Sequence, residues 1–125
     1  MVIEKTFHVF VVDDERVISD TLAAILRLNG FAATSFTNPL DALDNAHSAS
    51  PDLLLSDVAM PQLSGIELAI QIRETCPNCK ILLFSGQATT SDLLRDARER
   101  GHEFQLVTKP VHPTDLLKRI RILSS

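Results

Sequence analysis

Three observations predict an α/β fold, a parallel sheet covered by helices on both faces. Short apolar runs alternate with segments of helical period, the alternation repeats along the whole chain, and polar residues stand where the apolar runs end. Crossovers between parallel strands are right-handed and must cover the sheet, so the strand ends that carry those polar residues share one edge. Residues distant in sequence therefore meet in one pocket.

The first strand is His8-Val9-Phe10-Val11-Val12, continuous and rich in β-branched residues, as burial on both faces requires. Residues 15–29 follow as a helix whose expected inward stripe is Val17, Ile18, Leu22, Ile25 and Leu26, with Gly30 where a left-handed cap would sit. Residues 31–36 make a weaker strand. Thr37-Asn38-Pro39 then opens a helix running to about His47, supplying a capping side chain and a proline suited to a first turn. Residues 52–56 form the third strand, and Asp57 is the first residue past its apolar run. A loop from Met60 to Gly65 leads to a helix marked by Ile66, Leu68, Ala69 and Ile72.

Residues 80–84 form the fourth strand, ending at Ser85-Gly86. Residues 91–100 are a charge-dense helix with Leu93, Leu94 and Ala97 inward, stopped by Gly101. Residues 104–108 are the fifth strand, ended by Lys109-Pro110. Residues 113–123 close the series with Leu116, Leu117, Ile120 and Leu123 inward.

With 125 residues, 45% of them hydrophobic, the chain has enough apolar side chain for one core, and a single domain over residues 1–125 with no output domain is expected. The net charge of −4 argues against the basic footprint of non-specific nucleic-acid binding. That charge is uneven: residues 1–90 carry five Lys/Arg against eleven Asp/Glu, and residues 91–125 carry seven against five. No stretch approaches the roughly 18 apolar residues of a membrane span, and the first residues do not read as a signal peptide, so a cytoplasmic location is expected. Cys76 and Cys79 lie in a Cys-Pro-Asn-Cys run that follows a helix rather than opening one, and no second cysteine pair completes a zinc site; incidental thiols in a loop are expected.

Asp13 and Asp14 end the first apolar run, Asp57 the third, Ser85 the fourth and Lys109 the fifth. Carboxylates converging on one point suit Mg²⁺, which prefers oxygen ligands. A carboxylate also serves as nucleophile toward phosphorus, a transfer that needs positioning and charge neutralisation above all. Lys109 would neutralise charge, Ser85 would donate to a phosphoryl oxygen, and Gly86 would let a backbone N–H come close.

The segments Val11-Val12-Asp13-Asp14-Glu15 and Ser56-Asp57-Val58-Ala59-Met60-Pro61, the following Gly65, Ser85-Gly86 and Lys109-Pro110 together resemble a response-regulator receiver domain of two-component signalling, over nearly the whole chain. The resemblance implies a flavodoxin-like, doubly wound (βα)5 fold with strand order 2-1-3-4-5. It also implies that Asp57 accepts a phosphoryl group from a histidine kinase or phosphotransfer protein, and that Asp14, Asp57 and the backbone carbonyl of Ala59 ligate Mg²⁺, with Asp13 acting mainly through water. Lys109 would then hold the phosphoryl group, Ser85 would move toward it, and a cis peptide would join Lys109 to Pro110.

Two departures from the family pattern stand out. Many receivers place an aromatic residue three before the lysine, where this chain has Leu106; Phe104 shares its strand parity and is the candidate substitute. Ala59 and Gln87, two past Asp57 and Ser85, occupy positions that tune phosphoaspartate hydrolysis in the family, and the small Ala59 implies a lifetime that is not unusually long.

The expected function is a phosphorylation-controlled switch rather than a turnover enzyme, one that assists its own phosphorylation and dephosphorylation. Its partners would be the phosphodonor protein and a downstream protein effector, bound on the face of helix 4, strand 5 and helix 5, with no direct nucleic-acid or membrane contact and a monomer or weak dimer as the assembly. The basic residues Arg95, Arg98, Arg100, Lys118, Arg119 and Arg121 suit such docking. The alternative is a small phosphohydrolase with an aspartyl-phosphate intermediate, but Ala59 supplies no second acid/base group. A flavin module is disfavoured because the first strand lacks a Gly-rich loop and the chain has no Trp or Tyr.

Overall fold

The computed structural model describes residues 6–86, 90–110 and 112–125. Five strands and five helices alternate: β1 (His8–Val12), α1 (Arg16–Leu28), β2 (Ala32–Phe36), α2 (Pro39–Ser48), β3 (Leu53–Asp57), α3 (Gly65–Thr75), β4 (Lys80–Ser85), α4 (Thr90–Glu99), β5 (Gln105–Thr108) and α5 (Pro113–Ser124). All strand pairs are parallel and the order is β2-β1-β3-β4-β5. The doubly wound, flavodoxin-like architecture expected from the resemblance is present.

Strand parity divides the core into two layers. Val9, Val11, Leu53, Leu55, Leu82 and Phe84 face α1 and α5, while Phe10, Val12, Leu54, Ile81 and Leu83 face α2, α3 and α4. Because β1, β3 and β4 are interior strands, both parities are buried, which explains their unbroken apolar runs. Removing one such leucine side chain costs about 2–5 kcal/mol.

Local chemistry sets the helix ends. Asn38 accepts the Leu40 N–H ahead of Pro39, Ser64 accepts the Glu67 N–H, and the His112 Nδ1 accepts the Thr114 N–H ahead of Pro113. Gly30 and Gly101, past the ends of α1 and α4, take φ of +91° and +88°, the region where glycine is favoured.

Two expectations about side-chain direction fail, and one strand boundary moves. Val17 is 78% exposed: the buried stripe of α1 is Ser19, Ala23 and Leu26, and Val17 lies on the opposite side with Thr21, Ala24 and Leu28. Leu93 is 42% exposed, since α4 packs chiefly on α3 and seats Ala97, with Leu94 half-buried. Phe104 precedes β5 instead of opening it, although it packs on the same cluster as Leu106.

At the strands' amino ends Asp52 joins three of them. Its carboxylate accepts the His8 N–H at 2.8 Å, its own N–H donates to the His8 carbonyl at 2.8 Å, and its carbonyl accepts the Lys80 N–H at 2.9 Å. At the far end, the carboxyl ends of the strands carry the polar residues.

Candidate functional site

The loop after β1 turns back through two bonds. The Asp13 N–H donates to the Phe36 carbonyl, and the Glu15 N–H donates to the Asp13 Oδ1 at 2.9 Å. Asp13 is thereby held fully buried, while its neighbour Asp14 is exposed. Asp57, the last residue of β3, is 7% exposed and pairs in register with Phe84. Carboxylate oxygens of Asp13, Asp14 and Asp57 all lie within 4.8 Å of one another. Sequence distance has collapsed as the strand-end argument requires.

Lys109 reaches into this cluster from the end of β5. Its Nζ lies 3.3 Å from the Asp57 Oδ2 and 3.7 Å from the Asp13 Oδ2, and its backbone N–H donates to the Ser85 carbonyl at 3.0 Å. The ammonium also sits 5.0 Å from the centroid of the Phe84 ring, a cation–π contact that helps hold it over the pocket. Ser85, the last residue of β4, is 4% exposed and pairs with Thr108. The Lys109–Pro110 peptide is cis, as the resemblance implied.

Burial raises the Asp13 carboxyl above its ordinary value. The Glu15 N–H and Lys109 oppose that shift, while the charges of Asp57 and Asp14 reinforce it. Its Oδ2 is buried without a hydrogen bond, 3.7 Å from the lysine ammonium. A buried, unbonded carboxylate oxygen beside two further carboxylates is a donor set that fits a hard divalent cation. Among the described residues this is the one group of three or more ligand side chains placed to hold a metal ion.

Two residues matter more than their sequence context suggested. A Cβ on Gly65 would fall inside the van der Waals shell of the Asp57 carbonyl oxygen, so only glycine lets α3 start against the end of β3. The Gly65 N–H donates to the Val58 carbonyl at 2.8 Å, and the buried Ser56 hydroxyl donates to the Asp57 carbonyl at 2.9 Å. A polar residue in an otherwise apolar strand was the available signal for Ser56. Gly86, by contrast, is not sterically required: a Cβ there would meet the Lys109 Cβ at 3.5 Å, an ordinary contact. Ala59 lies in the exposed stretch beyond Asp57, and Gln87 falls outside the described residues.

The chain matches the response regulator receiver domain family over residues 9–121. It belongs to that family. The receiver is 33% identical to the transcriptional regulatory protein CreB of Escherichia coli over 115 residues, 92% of this chain and 49% of CreB. It is 31% identical to the response regulator MprA of Mycobacterium avium over 116 residues, 93% of this chain and 50% of MprA. The chain thus spans about half the length of these curated relatives, which are response regulators and not phosphohydrolases. Among solved structures, a CheY-like receiver domain protein from Methanospirillum hungatei superposes with a TM-score of 0.85 at 25% identity, covering 96% of this chain and 95% of that one.

Receivers of two-component systems are phosphorylated on an aspartate, bind Mg²⁺ at an acidic pocket and interact with histidine kinases and downstream effectors. No helix among the described residues is long and apolar enough to cross a membrane.

The basic residues expected on the docking face divide. Arg95 and Arg98 lie on α4 and Lys118 and Arg119 on α5, all exposed, with Arg95 paired to Asp92 on its own helix at 3.2 Å. Arg100 instead pairs with Glu67 of α3 at 2.8 Å, and Arg121 donates to the Asn29 side chain beyond α1 at 3.2 Å. Both are drawn off that face because an acceptor lies closer on a neighbouring element. Phe104 is engaged as well: the Arg73 guanidinium lies 4.5 Å from its ring centroid and the His102 ring stacks on it at 6.0 Å.

Proposed function

We propose that Asp57 is the phosphoacceptor, taking a phosphoryl group from the phosphohistidine of a histidine kinase or phosphotransfer protein. An Asp57 carboxylate oxygen attacks phosphorus, the bond to the histidine nitrogen breaks, and its electron pair leaves with the imidazole. The observation that carries the reading is the single Lys109 ammonium shared by Asp57 and Asp13 at 3.3 and 3.7 Å. It neutralises the acceptor before transfer and is placed to pair with the phosphoryl oxygens afterwards.

Ser85, at the adjacent strand end, donates its hydroxyl to a phosphoryl oxygen once one is present. Asp13, Asp14, Asp57 and the Ala59 backbone carbonyl would hold Mg²⁺, Asp13 mainly through water, and the cation would supply further neutralisation of charge at the acceptor. In this way the receiver assists its own phosphorylation and dephosphorylation. Ala59 leaves the phosphoaspartate open to water, so the modified state is not unusually long-lived.

An apolar groove of about 460 Å³ between α1 and α5, lined by Ile18, Leu22, Phe84, Pro110 and Leu116 with Lys109 at its edge, supports a protein phosphodonor that docks beside the acceptor. The effector would bind the face of α4, β5 and α5, where Arg95, Arg98, Lys118 and Arg119 are exposed. Phosphorylation adds roughly two negative charges at the Lys109 end of β5, which biases that face between two states.

The test is to incubate the protein with a small phosphodonor and Mg²⁺ and measure intact mass. One added phosphoryl group, lost in Asp57→Asn, is the expected result. An adduct that survives the substitution, or none in wild type, overturns the assignment.

A further inference from the structure

Cys76-Pro77-Asn78-Cys79 forms a tight turn between α3 and β4, with the Cys79 N–H donating to the Cys76 carbonyl at 2.9 Å. Proline and asparagine suit the middle of such a turn, and its outer Cα atoms lie within about 7 Å. A disulfide spans Cα separations of roughly 4.4–6.8 Å, so the turn holds the two residues near bridging range. Both side chains are buried in the same apolar cluster, and both thiols are free.

Their contacts do not call for sulfur. The Cys76 thiol donates to the Ser50 Oγ at 3.3 Å and to the Ala46 carbonyl at 3.7 Å, and the Cys79 thiol donates to the Lys80 carbonyl at 3.3 Å, all weak bonds. A cavity of about 230 Å³, bordered by Ser50, Asp52, Thr75 and the turn itself, lies beside the pair. The carboxylate cluster at the opposite end of the sheet is the one set of three or more potential ligands among the described residues, so the cysteines lack the further side chains that four-coordinate zinc needs.

We propose that Cys76 and Cys79 are a thiol–disulfide exchange site, oxidised by small-molecule disulfides of the glutathione type to an intramolecular bond and restored by the corresponding thiols. Cys76 loses its proton and attacks one sulfur of the small disulfide, releasing the other as thiolate. Cys79 then loses its proton and attacks the Cys76 sulfur, releasing the second thiolate. Two electrons and two protons pass from the protein to give two molecules of small thiol.

Burial pushes the Cys79 thiol up to about 12, which assigns the first attack to Cys76. The pair is therefore a slow responder to the surrounding redox poise and not a catalyst of exchange.

The test equilibrates the protein in glutathione buffers of stepped oxidised-to-reduced ratio, alkylates remaining thiols and measures intact mass. Wild type should pass reversibly from two alkylated cysteines to none, with loss of two hydrogens and no retained glutathione, and peptide mapping should place the bond between Cys76 and Cys79. Cys79→Ala should stop at one glutathione on Cys76, and Cys76→Ala should acquire one at least about tenfold more slowly. Two alkylatable thiols in the most oxidising buffer, stable glutathione on both wild-type cysteines, or disulfide-linked dimers would each overturn the proposal; the wild-type measurements decide it even where a variant folds poorly.

Discussion

The first residue of α3, Gly65, packs directly on the backbone carbonyl of Asp57, leaving no room for a side chain. The helix that follows Asp57 is thus built against that residue's own peptide. Gly65→Ala should destabilise the protein by about 1–3 kcal/mol through overpacking, read as a lower urea midpoint. Phosphorylation of the folded variant by a small donor should slow as well, because relief of the clash moves Asp57.

Lys109→Met separates two roles of one cation. Loss of the ammonium should slow phosphorylation by a small donor about 10²-fold, the usual scale for one charge-stabilising donor. Mg²⁺ binding, followed by titration, should tighten, since the lysine competes with the metal for the Asp13 and Asp57 carboxylates. A parallel loss of both would count against this division.

Asp13 makes stability depend on pH. Its folded carboxyl titrates above the ordinary value of 3.8, so as pH rises from there through the raised value the unfolded chain releases the proton first and folding loses stability. The full cost of the buried charge is present above that window and absent below it. Asp13→Asn should raise stability at pH 7 in EDTA by about 1–3 kcal/mol, the scale of an uncompensated buried polar group. The gain should vanish in acid and shrink when Mg²⁺ is added, both measurable by thermal unfolding.

Phe104 is held between Arg73 and His102, and Leu106 pairs in register with Leu83, two residues before Ser85. This arrangement favours a fixed packing role for Phe104. Phe104→Ala should lower stability by about 3–5 kcal/mol at most, less because the ring is only half-buried, yet keep the wild-type gain in effector affinity on phosphorylation. Loss of that gain with phosphorylation intact would instead make Phe104 the moving aromatic.

Arg100→Ala should leave effector affinity unchanged while Arg98→Ala weakens it, because Arg100 is committed to Glu67. The arginine holds the Glu67 carboxyl below its ordinary value, so the pair persists above the usual glutamate range and is lost as pH falls through that lowered value. Binding measured with both variants in the same buffer separates the roles.

Strand identity and site position were legible in the sequence because interior parallel strands must be apolar on both faces and must end in polar residues. Asp13, Asp57, Ser85 and Lys109 could be placed together from that alone. What depended on packing was less visible. Val17 reads as core by composition, yet a rotation of α1 that seats Ala23 and Leu26 turns it outward. Arg100 reads as part of a basic face, and only the proximity of α3 to the end of α4 shows its partner. Gly65 could be matched to a family pattern, but its steric reason lies in the approach of α3 to the Asp57 carbonyl.

Asp52, tying β1, β3 and β4 together at their amino ends, separates alignment from reactivity. The strands are indexed against one another at the edge opposite the carboxylate cluster. Charge can therefore arrive at the other edge, and loops there can rearrange around it, without the strands losing count.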